Sequence, residues 1–446
     1  MEATELQARA TIAGDEGATE PSSSRNGGIE ERRLAANGLK ILHLPMRTAP
    51  VVLLMVTYEV GSRHERAGAR GASHMLEHMM FKGSANFHKG QGNSIHQLLL
   101  PLGAQVNATT WYDRTHYFAL APRDSLDLIA QIEADRMSNL SLDAAELATE
   151  KTVVLNEFDR LIGDPLEQLL QAVWGAAFAS HPYGMPVIGR REDIEGFGRE
   201  HLLAHYRAHY RPDNATITLI GDVERDAALE TVRHRFEGIA ARPGPEAAQL
   251  PEPEQDDERR ATVECPGAPG IVMLAYKSPC GLDPDVDALE VLGRVLAGGR
   301  SSRLYRRLVA AGLATEVWAD VSRLRHPGLF QLSAVVHPDA DHRRVEYAMR
   351  AAIEEVRAGV ADEELARAQS QIHGRLLTSR DGPLAIAMQL NEAIAAGDWR
   401  SYAAAAERVG AVTAGDVARV AARYLSEQRL TVGRLVDAAD RTALSS

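Results

Sequence analysis

The hydrophobic and polar positions of this chain form two successive series of strands and helices. The first series opens with an alternating segment at 39–44 and a nearly continuous, β-branched apolar run at 51–60, both typical of strands. Its further predicted elements are helices around 71–81 and at 92–100, strands at 105–111 and 114–120 joined by a tight turn, helices at 123–139 and 143–172, a helix through Tyr206, and a strand at 215–220.

A second series repeats this order. Its predicted elements are a strand at 270–277, helices at 284–297 and 301–311, strands at 315–321 and 328–336, helices at 341–358 and 361–379, a helix at 414–425, and a strand at 430–435. The offset between the two series is roughly 210–220 residues, which indicates a domain duplication and not a short repeat.

The segments outside these series are polar. Residues 1–30 are predicted to be a flexible tail and 242–260, rich in Pro and Glu, an interdomain linker. These segments bound two predicted domains at 31–241 and 261–438, followed by a short tail at 439–446.

The composition excludes several classes of protein. Of the 446 residues, 45% are hydrophobic and 25% charged, as in a globular protein. The net charge of −12 argues against a nucleic-acid partner. Two cysteines, Cys265 and Cys280, are too few for a disulfide framework. Neither an apolar run long enough to cross a membrane nor a secretory signal is visible, so we expect a cytoplasmic protein, or a periplasmic one if a signal has been removed.

The strongest chemical motif is His-x-x-Glu-His at His74, Glu77 and His78. On a helix the two histidines lie four residues apart on one face, a spacing that suits two nitrogen ligands of one tetrahedral zinc ion. Glu77 lies beside the same metal, where a carboxylate can accept a proton from an attacking water. The motif is the inverzincin signature. It predicts one zinc per chain and metal-dependent hydrolysis.

A zinc site of this kind needs a third protein ligand. Glu150 and Glu157 are seven residues apart on a long predicted helix and therefore share a face. From the residues alone, either carboxylate could reach the metal while the other supports a ligand. The sequence also contains His201, His205 and His209 at helical spacing, but without a glutamate in the pattern, so we do not expect a second metal there. His116 and His181 are predicted to serve packing and a turn.

The chain resembles the pitrilysin/insulinase family of zinc peptidases, which includes the mitochondrial processing peptidases. The resemblance extends from Glu31 to about residue 438. It rests on four segments: 74–84 with the histidine motif, 103–110 (Gly-Ala-Gln-Val-Asn-Ala-Thr-Thr), 150–157, and His-Pro-Tyr-Gly at 181–184.

The resemblance implies roles that spacing alone does not give. Glu157 would be the third zinc ligand and Glu150 would support the histidine shell and activity. Asn107, Ala108 and Thr109 would lie on an exposed strand to which a substrate peptide adds as a further strand. The implied fold class is α+β: two homologous domains, each a mixed, mostly antiparallel sheet backed by helices, together forming half of a clamshell.

The same resemblance implies a homologous partner subunit, because family enzymes use four such domains. They also bind substrate with an Arg and with a Tyr that follows this Arg by seven residues. Aligned on 312–314, those positions hold Leu308 and Thr315 in this chain. We therefore expect the catalytic subunit of a heterodimer whose partner supplies the Arg and Tyr. The alternatives are a self-sufficient homodimeric peptidase and a non-catalytic core subunit of a larger complex.

Overall fold

The computed structural model describes residues 25–245 and 252–437. The strands are β1 (Arg25–Asn26), β2 (Ile29–Arg33), β3 (Lys40–Pro45), β4 (Val51–Tyr58), β5 (Gln105–Thr110), β6 (Thr115–Pro122), β7 (Ala215–Gly221), β8 (Arg259–Glu264), β9 (Ile271–Lys277), β10 (Ala314–Val321), β11 (Leu329–Val336) and β12 (Leu430–Val436).

The helices alternate with these strands along the chain. They are α1 (Ala72–Met79), α2 (Ile95–Leu99), α3 (Leu126–Ser138), α4 (Ala144–Ile162), α5 (Pro165–Ala177), α6 (Arg191–Gly196), α7 (Arg199–His209), α8 (Arg225–Phe236), α9 (Asp285–Ala297), α10 (His342–Ala358), α11 (Asp362–Thr378), α12 (Gly382–Ala396), α13 (Arg400–Ala411) and α14 (Ala414–Tyr424). None of the helices in the described ranges combines the length and apolarity needed to span a bilayer.

Two mixed sheets organise the described residues. The first has the order β1-β2-β3-β7-β4-β6-β5 and the second the order β10-β11-β9-β12-β8. One neighbouring pair in each sheet is parallel, β3 with β7 and β12 with β8, and the other pairs are antiparallel. The α+β class with two helix-backed, mostly antiparallel sheets is confirmed. Strand β5 lies at an edge of the first sheet, which matters for the site below.

The two halves of the chain exchange helices. Helix α5, from the first half, packs on β8 and β12 of the second sheet, where Leu169 and Val173 are fully buried. The approach is so close that a Cβ at Gly433 would lie 2.4 Å from the Val173 side chain. Helix α12, from the second half, covers the first sheet through buried Leu390 and Ile386. The halves therefore share their hydrophobic cores.

The structure corrects the single long helix predicted over 143–172. It ends at Ile162 and a new helix, α5, begins at Pro165. The Asp164 carboxylate accepts hydrogen bonds from the backbone N–H groups of Leu166 (2.9 Å) and Glu167 (3.1 Å), and a proline suits the first helical position. This break is what redirects the chain from the first sheet to the second.

The boundaries of the polar segments also differ from the prediction. Strands β1 and β2 include residues that the tail prediction assigned to 1–30, and Ile29 is only 1% exposed because it packs under α12. Strand β8 starts at Arg259, inside the predicted linker. Residues 1–24, 246–251 and 438–446 lie outside the described residues. They include the rest of the predicted N-terminal tail, part of the predicted linker and the predicted C-terminal tail.

Candidate metal centre

Helix α1 begins at a backbone position that only glycine suits. Gly71 has a φ of 95°, and a Cβ there would lie 2.4 Å from the carbonyl oxygen of Ile188. The buried Glu65 carboxylate accepts hydrogen bonds from the N–H of Gly71 (2.6 Å) and of Ser73 (2.8 Å). Burial raises the pKa of Glu65 to about 7, although the two hydrogen bonds oppose this rise. Together Gly71 and Glu65 fix where the helix starts and hence where its histidines point.

Three side chains converge on one point. The Nε2 atoms of His74 and His78 lie 3.7 Å and 3.6 Å from the Oε2 atom of Glu157 on α4. Those separations are too long for hydrogen bonds. They match the roughly 3.3–3.6 Å between ligands that each lie about 2.0–2.2 Å from a tetrahedral zinc ion. Within the described ranges this is the one set of three such ligand atoms that could hold a metal.

The electrostatics of the three groups suit a cation. Burial, followed by the neighbouring His78, lowers the pKa of His74 to about 4, so this imidazole is neutral near pH 7. The His78 ring holds the pKa of the Glu157 carboxyl below its usual range, so that group is ionised. Burial lowers the pKa of His78, but the neighbouring Glu157 and Glu150 carboxylates outweigh burial and raise this pKa above its usual value, so zinc would bind His78 in place of a proton. Neutral imidazoles and a carboxylate are the protonation states that bind zinc. The residues therefore fit the predicted metal.

Glu150 lies behind His78, away from the ligand cluster. Its carboxylate is 2.8 Å from the Nδ1 atom of His78 and also pairs with the Lys82 ammonium. With Nδ1–H donating to Glu150, the lone pair on Nε2 faces the metal position. By contrast, the Nδ1 atom of His74 is buried without a hydrogen-bond partner in the described part of the chain. Glu150, predicted among the catalytic residues, is therefore placed to orient His78 and lies on the side of that ring opposite Glu157.

Glu77, the predicted base, projects between α1 and the edge strand β5. The hydroxyl of Thr110 donates a hydrogen bond to its Oε2 atom at 2.6 Å. Burial raises the pKa of Glu77, and the Thr110 bond opposes this rise. A carboxylate with a raised pKa is a better proton acceptor than one in water.

Strand β5 offers a free edge beside this group. Just beyond its end, the backbone N–H of Trp111 donates to the Arg114 carbonyl, so these two residues form a hydrogen-bonded pair. In an antiparallel ladder, hydrogen-bonded pairs alternate with pairs whose backbone groups point away from the partner strand. The N–H and C=O groups of Val106, Ala108 and Thr110 therefore point outward from the sheet. This edge can accept an additional strand.

The three predicted substrate residues differ in their surroundings. The Asn107 side chain is exposed, whereas Ala108 is 5% exposed and packs in the core of the first sheet. The Thr109 hydroxyl is occupied by Arg114, which donates to it at 2.7 Å. The side chain of Asn107 is thus open to a ligand, and the Thr109 side chain is committed to the protein.

Sequence reasoning missed Asp113, a buried residue at the tip of the β5–β6 hairpin. Its carboxylate pairs with Arg63 and accepts hydrogen bonds from the Tyr183 hydroxyl (2.6 Å) and the backbone N–H of Arg325 (3.0 Å). Arg325 belongs to the second half of the chain. An aspartate in a turn normally indicates only turn chemistry, and partners so distant in sequence leave no local signal.

A second bond from the other half supports the same hairpin. Arg114 donates to the Glu392 carboxylate on α12 at 2.9 Å. A cavity of about 800 Å³ starts at this point, between the halves. It is lined by Trp111 and Glu392 on one side and by Asp320 of β10 on the other. The metal ligands do not line it, but Trp111 directly follows Thr110, so the cavity adjoins the free edge of β5.

The remaining histidines have structural surroundings. His116 is fully buried and burial lowers its pKa to about 3. The ring of His181 accepts a hydrogen bond from the N–H of Tyr183 (3.2 Å), as expected for a turn residue. His205 lies 3.0 Å from the Ser73 hydroxyl and packs on His209, while His201 bonds the N–H of Gly198.

The segment expected to carry the family's Arg and Tyr holds neither in a usable position. Leu308 is completely buried, in a π-helical turn at Tyr305–Val309 that replaces the helix predicted over 301–311. Arg306 and Arg307 pair with Glu364 and Glu355 on neighbouring helices of the second half.

Two family models match successive parts of the chain. The model of "Insulinase (Peptidase family M16)" matches residues 42–191, and that of "Peptidase M16 inactive domain" matches residues 196–372. A zinc protease, PqqE, of Helicobacter pylori is 30% identical over 332 residues, 72% of this chain and 73% of that protein. A probable mitochondrial-processing peptidase subunit beta of Arabidopsis thaliana is 25% identical over 413 residues, covering 90% of this chain and 77% of the relative.

Solved structures share the fold over nearly the whole chain. A protease from Helicobacter pylori superposes with a TM-score of 0.85 at 26% identity, covering 92% of this chain and 99% of the other. The periplasmic protease PqqL from Escherichia coli has a TM-score of 0.79 at 18% identity, covering 95% of this chain but 49% of that one. The two-domain fold seen here is thus about half of the larger protein.

Proposed function

Since this chain belongs to the insulinase family of peptidases, peptidase family M16, we propose that it is a zinc-dependent endopeptidase acting on unfolded or short peptides. The observation that carries this proposal is the convergence of His74, His78 and Glu157 at zinc-ligand spacing, with Glu77 beside them. The names of the relatives, which include zinc proteases, support the same activity.

The substrate would bind as an added strand on β5. The outward backbone groups of Val106, Ala108 and Thr110 would pair with the peptide backbone, and the exposed Asn107 side chain would hold one further polar group. Main-chain pairing makes few demands on side chains but requires an extended peptide. The adjoining interdomain cavity of about 800 Å³ provides room for the neighbouring substrate residues. Extended, unfolded peptides are therefore the substrate class that we propose.

The chain's own residues would manage the proton. A zinc ion on His74, His78 and Glu157 would supply Lewis-acid polarisation of the attacking water and of the scissile carbonyl. Glu77 would accept the proton of that water, hold it on a carboxylate oxygen, and deliver it to the leaving amine. Glu150 would keep His78 in the required tautomer.

We further propose that the chain works with a homologous partner. Leu308 and Thr315 stand where an Arg and a Tyr would bind substrate, and Leu308 is buried. A larger structural relative spans about twice this fold. A heterodimer in which this chain supplies the metal and the base accounts for both facts, and a homodimer would leave the Arg and Tyr missing. The predicted cytoplasmic location stays a prediction, since the Escherichia coli structural relative is a periplasmic protein.

The test combines metal analysis with cleavage of an unfolded fluorogenic peptide. We expect about one zinc per chain, and Glu77→Gln should retain the metal while losing 10²-fold or more of any turnover. Addition of a homologous chain that carries the Arg and Tyr should raise turnover. A metal-free wild-type protein would instead support the role of a non-catalytic core subunit. Full turnover by the isolated chain would refute the heterodimer.

A further inference from the structure

Thr110 is placed where it can control the orientation of the Glu77 carboxylate. It is the last residue of β5, and its hydroxyl lies 2.6 Å from the Oε2 atom of Glu77. That separation is in the range of a hydrogen bond from a hydroxyl to an ionised carboxylate. In the part of the chain that the structure describes, no other hydrogen bond or ion pair reaches the Glu77 side chain.

The hydrogen-bond donor, Thr110, lies in a part of the sheet that is held by several hydrogen bonds. Thr110 lies opposite Thr115 in the β5–β6 register, and the Thr115 hydroxyl donates to the carbonyl of Val60 at 2.9 Å. The next residue, Trp111, closes the hairpin by donating to Arg114. Asp113 then ties the hairpin tip to Arg63 and to the second half of the chain. The position of the Thr110 hydroxyl is thus fixed from several sides.

The acceptor, by contrast, is intrinsically mobile. A glutamate has three rotatable side-chain bonds, and on α1 its carboxylate could swing away from the metal position. A hydrogen bond to Oε2 restricts this motion and leaves Oε1 available. When Oε1 takes up a proton, Oε2 remains an acceptor, so the bond to Thr110 is compatible with both protonation states.

We propose that Thr110 is a positioning residue for Glu77, whose hydroxyl fixes one carboxylate oxygen so that the other faces the reacting water. This inference rests on the proposed function, because it assumes that Glu77 is the base. It adds a link between substrate and base: the backbone of Thr110 belongs to the edge that would bind the peptide, and its side chain holds the carboxylate. A shift of the edge strand would therefore move the base with it.

Two substitutions separate this role from a packing role. Thr110→Val keeps the β-branched shape and removes the hydroxyl, whereas Thr110→Ser keeps the hydroxyl and removes the methyl group. Thr231→Val on α8 is the matched control, since it removes a hydroxyl that donates only to the Ala227 carbonyl of its own helix and does not contact Glu77. Each zinc-loaded variant is assayed with the fluorogenic peptide, together with the partner subunit if one is required.

We expect Thr110→Val to lower kcat about 10–100-fold, with KM changed by less than about threefold and zinc content unchanged. Thr110→Ser should recover to within about threefold of wild type, and Thr231→Val should keep the wild-type kcat. An unchanged kcat in Thr110→Val would overturn the proposal. So would equal losses in the Val and Ser variants, because the methyl group and not the hydroxyl would then be what matters.

A binding measurement gives a readout that needs no turnover. Acetohydroxamate bound at the zinc presents a hydroxyl or amide proton to the base, so its affinity reports the orientation of the Glu77 carboxylate. We expect about tenfold weaker binding to Thr110→Val and recovery in Thr110→Ser; equal affinity in wild type and Thr110→Val would overturn the positioning role. Failure of the proposed function looks different: the wild type would hold no zinc, or Glu77→Gln would turn over normally.

Discussion

Replacement of Glu150 by glutamine tests the arrangement behind His78. The carboxylate is 4% exposed and lies 2.8 Å from the Nδ1 atom of His78, with Lys82 as its second partner. Glutamine keeps the size of the side chain and one acceptor oxygen but removes the charge. Lys82 would then face a neutral amide, and His78 would lose the negative charge that makes its Nε2 atom a stronger ligand.

The expected loss of zinc affinity depends on how many carboxylates hydrogen-bond to the two histidines on the side away from the metal position. Among the described residues His74 has no hydrogen-bond partner at its buried Nδ1 atom, so Glu150 is the single carboxylate that supports a ligand from behind. Loss of a support of this kind weakens metal binding about 10–100-fold. At about 1.4 kcal/mol for each factor of ten, this corresponds to about 1.4–2.8 kcal/mol.

Competition with a chromogenic chelator at pH 7 measures this loss directly. The matched control is Glu146→Gln, one turn earlier on α4, where the carboxylate makes no hydrogen bond or ion pair with His74, His78 or Glu157. We expect Glu146→Gln to bind zinc like the wild type. Equal affinity in Glu150→Gln and wild type would refute the role of Glu150, and a similar loss in both variants would show a general charge effect on α4 instead.

Three further predictions concern the framework that holds the site. Burial keeps the pKa values of His181 and His209 near 4, below the 6.5 of an unfolded histidine, so the unfolded state takes up protons first as the pH falls. The free energy of unfolding should therefore be retained above pH 6.5 and fall by about 1–2 kcal/mol per histidine by pH 5. A urea midpoint independent of pH would contradict this. Leu390→Ala on the exchanged helix α12 should lower the free energy of unfolding by about 2–5 kcal/mol, against little change in exposed Gln389→Ala, with both measured by urea denaturation. Asp113→Ala should cost about 3–5 kcal/mol in the same assay because it leaves the Arg63 guanidinium without its buried partner, and a loss below 1 kcal/mol would show that the hairpin tip is held by other contacts.

The local periodicity of the sequence was sufficient to predict most elements near the site. Strand β10, predicted at 315–321, is found at Ala314–Val321, and α10, predicted at 341–358, is found at His342–Ala358. Both have a strong apolar pattern with clear ends. The single helix predicted over 143–172 was wrong for a different reason: Asp164 and Pro165 are a start signal for a new helix, but they lie inside an uninterrupted helical pattern.

The choice between Glu150 and Glu157 shows what spacing cannot decide. Two turns of helix separate them by about 10 Å along the axis. The structure places the two carboxylates at opposite nitrogens of one imidazole, Glu150 at Nδ1 of His78 and Glu157 near Nε2. Both residues face inward, as the shared helix face predicted. Which of them lies at the ligand level depends on how α4 crosses α1, and that is set by packing across the whole domain.

The exchanged helix α12 was missed because no local feature marks it. Its segment is rich in alanine and apolar on most sides, so it lacks the amphipathic pattern of a helix on a single sheet. Its position over the first sheet follows from contacts with strands more than 150 residues away, such as the pairing of buried Leu390 with Leu53 in one core. Contacts at this range have no counterpart in a short sequence window.

These exchanged helices explain how the second half can influence the geometry of the candidate metal site, although none of the candidate ligands belongs to it. Helix α4 supplies Glu150 and Glu157, and the chain continues directly into α5, which is anchored on the second sheet. In the other direction, α12 covers the first sheet and bonds the substrate-edge hairpin through Arg114 and Glu392. The metal ligand and the free edge are therefore each tied to the opposite half. We therefore expect any relative movement of the two halves to change the distance between the candidate ligand Glu157 and the free edge of β5.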